Sequence, residues 1–242
     1  LILPLRLGVS AVEYPVFEKR STDLERIDTG DYTPAEYERF LQEIRFINRF
    51  TGDLRTLKKT LFREIERADL DEFSVLDVGA GSGELLGTVA EYARKTGKNA
   101  MLVGLDLNAV SAESIKRESS EISAIRADAL RLPFEDGAFD YAICSLFTHH
   151  LTDEVAVRVL REMKRVSRWG IFVIDLHRHP AAYTLYKIFC VVFRISPLVR
   201  QDGSLSILRS FKPGELIELG ERAGLKSPKV ERHAIYRIVL TG

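Results

Sequence analysis

Alternating glycines follow an aliphatic run in Val75-Leu76-Asp77-Val78-Gly79-Ala80-Gly81-Ser82-Gly83-Glu84. A buried strand that turns through glycines into a helix lets a ligand approach bare backbone, with the first helical N–H groups facing it. A dinucleotide loop requires its third glycine three residues after the second, and Glu84 stands there. Asp77 sits just ahead of the first glycine. A carboxylate there repels a pyrophosphate and suits an ammonium or sulfonium charge through a charge-assisted contact. Asp77, Gly79, Ala80, Gly81 and Gly83 are therefore expected to hold a cationic, amino-acid-like nucleoside.

The next two strand ends supply what such a ligand still needs. Asp106 closes Gly104-Leu105-Asp106, near the ~20-residue offset at which an acidic side chain accepts from ribose hydroxyls. Leu107 beside it can cover an adenine face. In Arg126-Ala127-Asp128-Ala129, Asp128 can accept from the adenine amino group while the Ala129 backbone N–H reads a ring nitrogen. One acidic residue at a strand end is commonly a loop solvator; three in succession and in this order are not. S-adenosylmethionine meets the description.

A fourth strand leads into Cys144-Ser145-Leu146-Phe147-Thr148-His149-His150-Leu151. Ser145, at its exit, joins the cofactor-binding set. Methyl transfer to a hydroxyl needs a base, and histidine titrates nearest neutrality, so His149 and His150 are the catalytic candidates. The competing reading is that the pair shapes the pocket. His177 and His179, after the fifth strand, read as ordinary solvated side chains. A four-histidine metal site lacks any recognisable ligand spacing, and no metal is expected. Arg45 and Arg49, one helical turn apart, read as partners of Glu43 and its neighbours before they read as anion ligands.

These residues need a frame. Residues 1–30 show no clear period and read as an extended arm. Thr33-Pro34-Ala35-Glu36 carries a capping-box signature, followed at helical spacing by Tyr37, Phe40, Leu41, Ile44, Ile47 and Phe50. Thr51-Gly52 breaks that helix, and Asp53 can cap a second one carrying Leu54, Leu57, Leu61, Phe62 and Ile65. Both precede any strand and read as an added layer. From residue 72, apolar runs at 74–78, 100–105, 122–127, 140–144 and 171–175 alternate with helices, which requires parallel pairing with helices on both faces. The runs 230–234 and 236–240 are too close for a crossover and must form an antiparallel hairpin. Pro180 opens a helix apolar nearly all round, expected to be buried or to line a pocket.

The glycine loop, Gly104-Leu105-Asp106, Asp128-Ala129-Leu130-Arg131-Leu132-Pro133-Phe134 and Phe139-Asp140 match four motifs in order and spacing. Over about residues 72–176 the sequence resembles the class I S-adenosylmethionine-dependent methyltransferases, and more loosely their small-molecule branch of quinone-biosynthesis and polyketide-tailoring enzymes. The resemblance implies a doubly wound α/β fold: a seven-stranded, mostly parallel sheet closed by an antiparallel hairpin, with an N-terminal helical layer and a helical insertion after the fifth strand. It implies an arm and lid over 1–70, and a methyltransferase domain over 71–242 with a cap at about 177–211. The Asn/Asp-Pro-Pro-aromatic sequence of members that methylate exocyclic amines is absent after the fourth strand. The family's Leu-Lys-Pro-Gly-Gly turn before the fifth is replaced by Val166-Ser167-Arg168-Trp169-Gly170, on the far side of the sheet.

Length and composition bound the rest. With 242 residues, 45% of them apolar, the chain suits one domain with an elaboration. Its 35 basic and 35 acidic side chains cancel, which argues against general nucleic-acid binding. Cys144 and Cys190 cannot build a disulfide framework and read as buried thiols in a reducing cytosol. No run reaches the ~20 apolar residues of a membrane span, and Leu1-Ile2-Leu3-Pro4-Leu5, lacking a basic segment ahead, does not read as a signal peptide. The expected function is O- or C-methylation of a small apolar or aromatic acceptor such as a phenol, quinol or polyketide. A catalytically silent cofactor-binding module serving a protein is the alternative, and membrane-surface contact through the helix after Pro180 a lesser reading.

Overall fold

The computed structural model describes residues 17–30, 32–118 and 120–242; most of the arm read over 1–30 lies outside the described residues. Seven strands, β1 (Glu72–Val78), β2 (Asn99–Asp106), β3 (Ile122–Arg126), β4 (Phe139–Ser145), β5 (Ser167–Leu176), β6 (Lys229–His233) and β7 (Arg237–Thr241), form one sheet in the order β3-β2-β1-β4-β5-β7-β6. The first five pair in parallel; β7 runs antiparallel to both β5 and β6. Chain direction from β1 goes to β2 on one side and β4 on the other, so the crevice at the C-terminal ends of β1 and β4 is the switch point where open α/β sheets bind ligands.

Alternation along β1 sorts the two cores. Leu76 and Val78 pack beneath α7 (Asp153–Val166) and α10 (Pro213–Arg222). Phe73 and Val75 pack on the other face beneath α5 (Glu84–Thr96) and Ile115 of α6 (Ala109–Glu118). Asp77 shares the parity of that second face. Helix α7 runs straight into β5 with no intervening turn, and the register of β4 on β5 shifts between Phe139 and Tyr141. Trp169, in the segment that departs from the family pattern, sits edge-on to Tyr141.

The N-terminal helices divide, contrary to the single added layer expected. After a short α1 (Arg26–Thr29), α2 (Pro34–Thr51) starts with the capping box read from Thr33 and Glu36 and packs on α9 (Pro197–Arg209). The second helix, α3 (Asp53–Leu57) continuing through a wide turn at Lys58–Phe62 into α4 (Arg63–Arg67), belongs to the sheet core instead. Its Leu57, Leu61 and Ile65 are fully buried against β1, α5 and β4.

The cap after β5 also differs from expectation. It holds α8 (Pro180–Val192) and α9, the latter unforeseen because Gly203 and its polar neighbours hide the period. Gly203 is required there: a β-carbon would fall 2.1 Å from the Tyr186 hydroxyl of α8. Helix α8 is not buried all round; it buries Ala182 and Cys190 and leaves Leu185, Ile188, Val191 and Val192 exposed, because α2 and α9 cover only one of its sides. Cys144 and Cys190 are buried free thiols, as expected.

Ile65→Ala should therefore cost about 2–5 kcal/mol in denaturant unfolding, whereas Ile188→Ala on α8 should stay within about 0.5 kcal/mol. Equal losses would contradict this division of the core.

Candidate functional site: a glycine cradle and a buried histidine turn

Gly79, Gly81 and Gly83 all take positive φ, at 73°, 53° and 82°. A β-carbon on Gly79 would lie 2.8 Å from the Phe147 ring, and one on Gly83 would lie 3.2 Å from the Ile115 Cα. At Gly81 nothing stands within 4 Å, so this glycine keeps the backbone open towards the crevice. The loop is tied to the end of β2: the Gly79 and Ala80 N–H groups donate to the Leu105 carbonyl at 2.9 and 3.0 Å.

Asp106 is fixed by two further N–H donors, Gly81 at 2.9 Å and Asn108 at 2.8 Å, one to each carboxylate oxygen. Each oxygen keeps a lone pair for one hydroxyl of a diol. Leu107 beside it is 66% exposed. At the end of β3, Asp128 is exposed and accepts the Leu130 N–H at 2.8 Å, which holds the Asp128–Ala129 turn. Ser145 is half-buried where β4 leaves the sheet, and Leu146 follows at φ 53° with its N–H on the Ile174 carbonyl at 2.9 Å. The ten cofactor-binding residues read from the sequence thus lie at the C-terminal ends of β1, β2, β3 and β4, around the switch point.

Asp77 is the anomaly of the site. It is 2% exposed, and its Oδ1 has no hydrogen-bond partner. Burial, reinforced by the Asp106 charge, pushes its carboxyl up to about 8. A buried carboxyl without a partner fits a cationic ligand, which would supply the missing counter-charge. With the open cradle at Gly81 and the paired acceptor at Asp106, these residues fit S-adenosylmethionine.

The histidine turn is held from both sides of the sheet edge. His149 is 3% exposed, with its Nδ1 2.6 Å from Asp175 Oδ1, and its backbone N–H donates to Asp175 Oδ2 at 3.0 Å. The Thr148 hydroxyl donates to the same Oδ2, and the Leu176 N–H to Oδ1 at 2.7 Å. Burial raises the Asp175 carboxyl, but His149 and these donors outweigh it and hold it at about 2. His150 Nδ1 lies 3.2 Å from Asp28 Oδ2 and 4.0 Å from Glu25 Oε1. Glu25, fully enclosed, accepts the Ser206 hydroxyl at 2.9 Å, and its burial lifts its carboxyl to about 7.

Glu25, Asp28 and Ser206 were not legible as site residues, since they come from the arm and from α9. Arg209 closes the cluster with its guanidinium on the His149 and His150 carbonyls, at 3.3 and 2.8 Å, and on Asp28 at 3.1 Å. Among the described residues, Glu25, His149 and His150 place ligand-type atoms within 4.8 Å of one another; neither His177 nor His179 is of this group. Both histidines already engage a carboxylate through Nδ1, so the cluster is satisfied as a proton network. Arg45 pairs with Glu84 at 3.5 Å, not with Glu43, which instead binds Arg39 at 2.8 Å and accepts the Ser196 N–H at 3.0 Å. The Arg49 side chain lies outside the described ones.

The two buried acids set opposite pH dependences. Asp77 is raised on folding, so its contribution is present in acid and lost as pH rises through about 8; Asp175 is lowered, so its contribution is lost as pH falls through about 2. Asp77→Asn should remove the alkaline loss and melt above wild type at high pH, while weakening S-adenosylmethionine binding by about tenfold or more, since charge-assisted contacts are worth ~1.5–3 kcal/mol. A variant that binds normally would contradict the assignment.

A methyltransferase-domain family model matches residues 75–170, which contain the cradle, Asp106, Asp128 and the histidine turn. The demethylmenaquinone methyltransferase of Bacillus licheniformis is 34% identical over 172 residues, covering 64% of this chain and 71% of that protein. An NAD-dependent alcohol dehydrogenase of Saccharolobus solfataricus is 28% identical over 194 residues, covering 77% of this chain and 54% of that protein. The glycine loop here, with Asp77 buried ahead of it and Glu84 in place of a third spaced glycine, is not built for a dinucleotide pyrophosphate. In fold, the chain is similar to the magnesium protoporphyrin IX methyltransferase of Synechocystis with bound SAH, at a TM-score of 0.61 and 15% identity, covering 90% of this chain and 98% of that one. The chain belongs to the class I S-adenosylmethionine-dependent methyltransferases.

Proposed function

We propose that the acceptor is a small apolar or aromatic molecule of the quinol or phenol type, methylated on oxygen or on an activated ring carbon. The reading draws on the likeness to a protein named as a demethylmenaquinone methyltransferase and on the residues above the cradle. Phe147 touches the space over Gly79 and connects the cradle to the histidine turn. The observation that carries the reading is the Asp175–His149–His150–Glu25 network at that turn.

The cofactor supplies an electrophilic methyl group. Asp77 orients its cationic end, and Asp106 with Asp128 fixes the nucleoside. Catalysis then rests mainly on in-line positioning. In this reading His150, the half-buried member, takes the acceptor proton on Nε2, while Asp28 accepts from its Nδ1–H. His149 is a positioning residue, its tautomer set by Asp175. The described N-terminal residues through α2 and the cap at about 177–211 close over the acceptor, and the chain works in a reducing cytosol. Among the described residues no helix is long and apolar enough to cross a membrane. The exposed face of α8 favours the other reading, a catalytically silent cofactor-binding module that serves a protein partner.

Radiolabelled methyl transfer over a panel of phenols and quinols separates the readings. His150→Ala should lower turnover by roughly 10²–10⁴-fold with cofactor affinity unchanged, and His149→Ala should lower it through misplacement of the turn. Near-normal turnover in His150→Ala with the true acceptor rejects the base. Turnover of no acceptor, with the cofactor bound, favours the silent module.

A further inference from the structure

A second cavity of about 810 Å³ opens beyond the far edge of the histidine turn, between the exit of β5, the start of α10 and the β6–β7 turn. Two strand spacings separate β7 from β4, roughly 10 Å, and the buried Arg178 stands in its wall. That guanidinium is spent on structure. It pairs twice with Glu215 and donates to the Phe17, Glu18 and Ser210 carbonyls.

Two further cations of the cavity come from the start of α10 and from β6. Lys212 and Arg232 form no ion pair among the described residues. His179 Nδ1 accepts the Ala181 N–H at 3.1 Å, which leaves the ring proton on Nε2 as a donor. His233 Nε2 is buried with no hydrogen-bond partner, 3.5 Å from Glu231. His177 is held down at about 4 by burial and by His179, Arg232, Arg178 and Lys212 together. Of the residues in the wall, Glu18 alone is acidic, against Lys212 at the start of α10 and Arg232 on β6.

The turn itself serves this geometry. Ile235 and Tyr236 both take positive φ, 57° and 53°, a conformation costly for a β-branched residue. It lays the Tyr236 ring on His179, with centroids 5.0 Å apart and 25° between planes. Phe17 and Ile235 leave the remaining wall apolar.

We propose that this cavity binds a phosphate-bearing organic anion, at a site separate from methyl transfer. Lys212 and Arg232 match the double charge of a phosphate monoester, and His177 and His179 donate to its oxygens. The apolar wall and the volume accommodate the organic group. The phosphate can belong to a soluble ester or to a lipid headgroup.

The test is an NMR titration of the full chain's histidine ring signals with inorganic phosphate and with phenyl phosphate. Co-sedimentation with phosphatidic acid vesicles, against phosphatidylcholine vesicles, runs in parallel. Phosphate should move His177 and His179 and leave His149 in place. Lys212→Glu with Arg232→Glu should weaken binding by about tenfold or more while S-adenosylmethionine still binds; Lys212→Gln with Arg232→Gln replaces that pair if the reversed charges unfold the protein. Saturation by phenyl phosphate without vesicle binding identifies a soluble ester, and sedimentation with phosphatidic acid alone identifies a headgroup. Wild-type affinity for both phosphates weaker than about 10 mM without vesicle binding, or affinity unchanged in the variants, overturns the proposal.

Discussion

A carboxyl group buried at the end of β1 without a partner is the constraint on which the site depends. Asp77 is enclosed between two strands, and among the described residues no group bonds its Oδ1. In the unliganded protein it stays largely protonated near neutrality, because the charged form is poorly solvated and lies near Asp106. A phosphate would worsen that situation and a sulfonium or ammonium would relieve it. The same group therefore costs stability and selects the ligand. The positive-φ glycines act with it: Gly81 leaves the crevice open, and a β-carbon on Gly79 or Gly83 would meet Phe147 or Ile115.

Buried arginines bind the cap to this frame. Arg20 donates to the Arg209, His149 and Leu151 carbonyls, pairs with Asp153 and lies 3.8 Å over the Phe211 ring. Arg209 and Arg178 do the same for the histidine turn and for the start of α10. Guanidinium groups so enclosed are tolerable only when nearly every N–H has an acceptor. The arm, α9 and the exits of β4 and β5 thus form one polar assembly, and a change in Arg20 or Arg209 is felt at His149.

The sheet and the cradle were legible in the sequence because their signals are local. Strand–helix alternation, the short link before the last strand and the glycine spacing each report on neighbours in the chain. Asp77 could be read from charge alone. The Asp175–His149 bond and the place of Glu25 could not, since they join residues far apart in sequence through helices that polar neighbours disguise. Helix α8 misled for the opposite reason: its composition promised burial, and composition carries no information on how many partners arrive to cover a surface. The second helix looked peripheral because it precedes the first strand, yet Leu57, Leu61 and Ile65 complete one core face.

Calorimetric titration with S-adenosylmethionine in two buffers of different ionisation enthalpy, with NAD as control, tests the role of Asp77 most directly. Binding of the sulfonium nucleoside near neutral pH should release close to one proton as the carboxyl ionises, and NAD should give no saturable heat. Proton uptake, or NAD binding as tightly as S-adenosylmethionine, would contradict it.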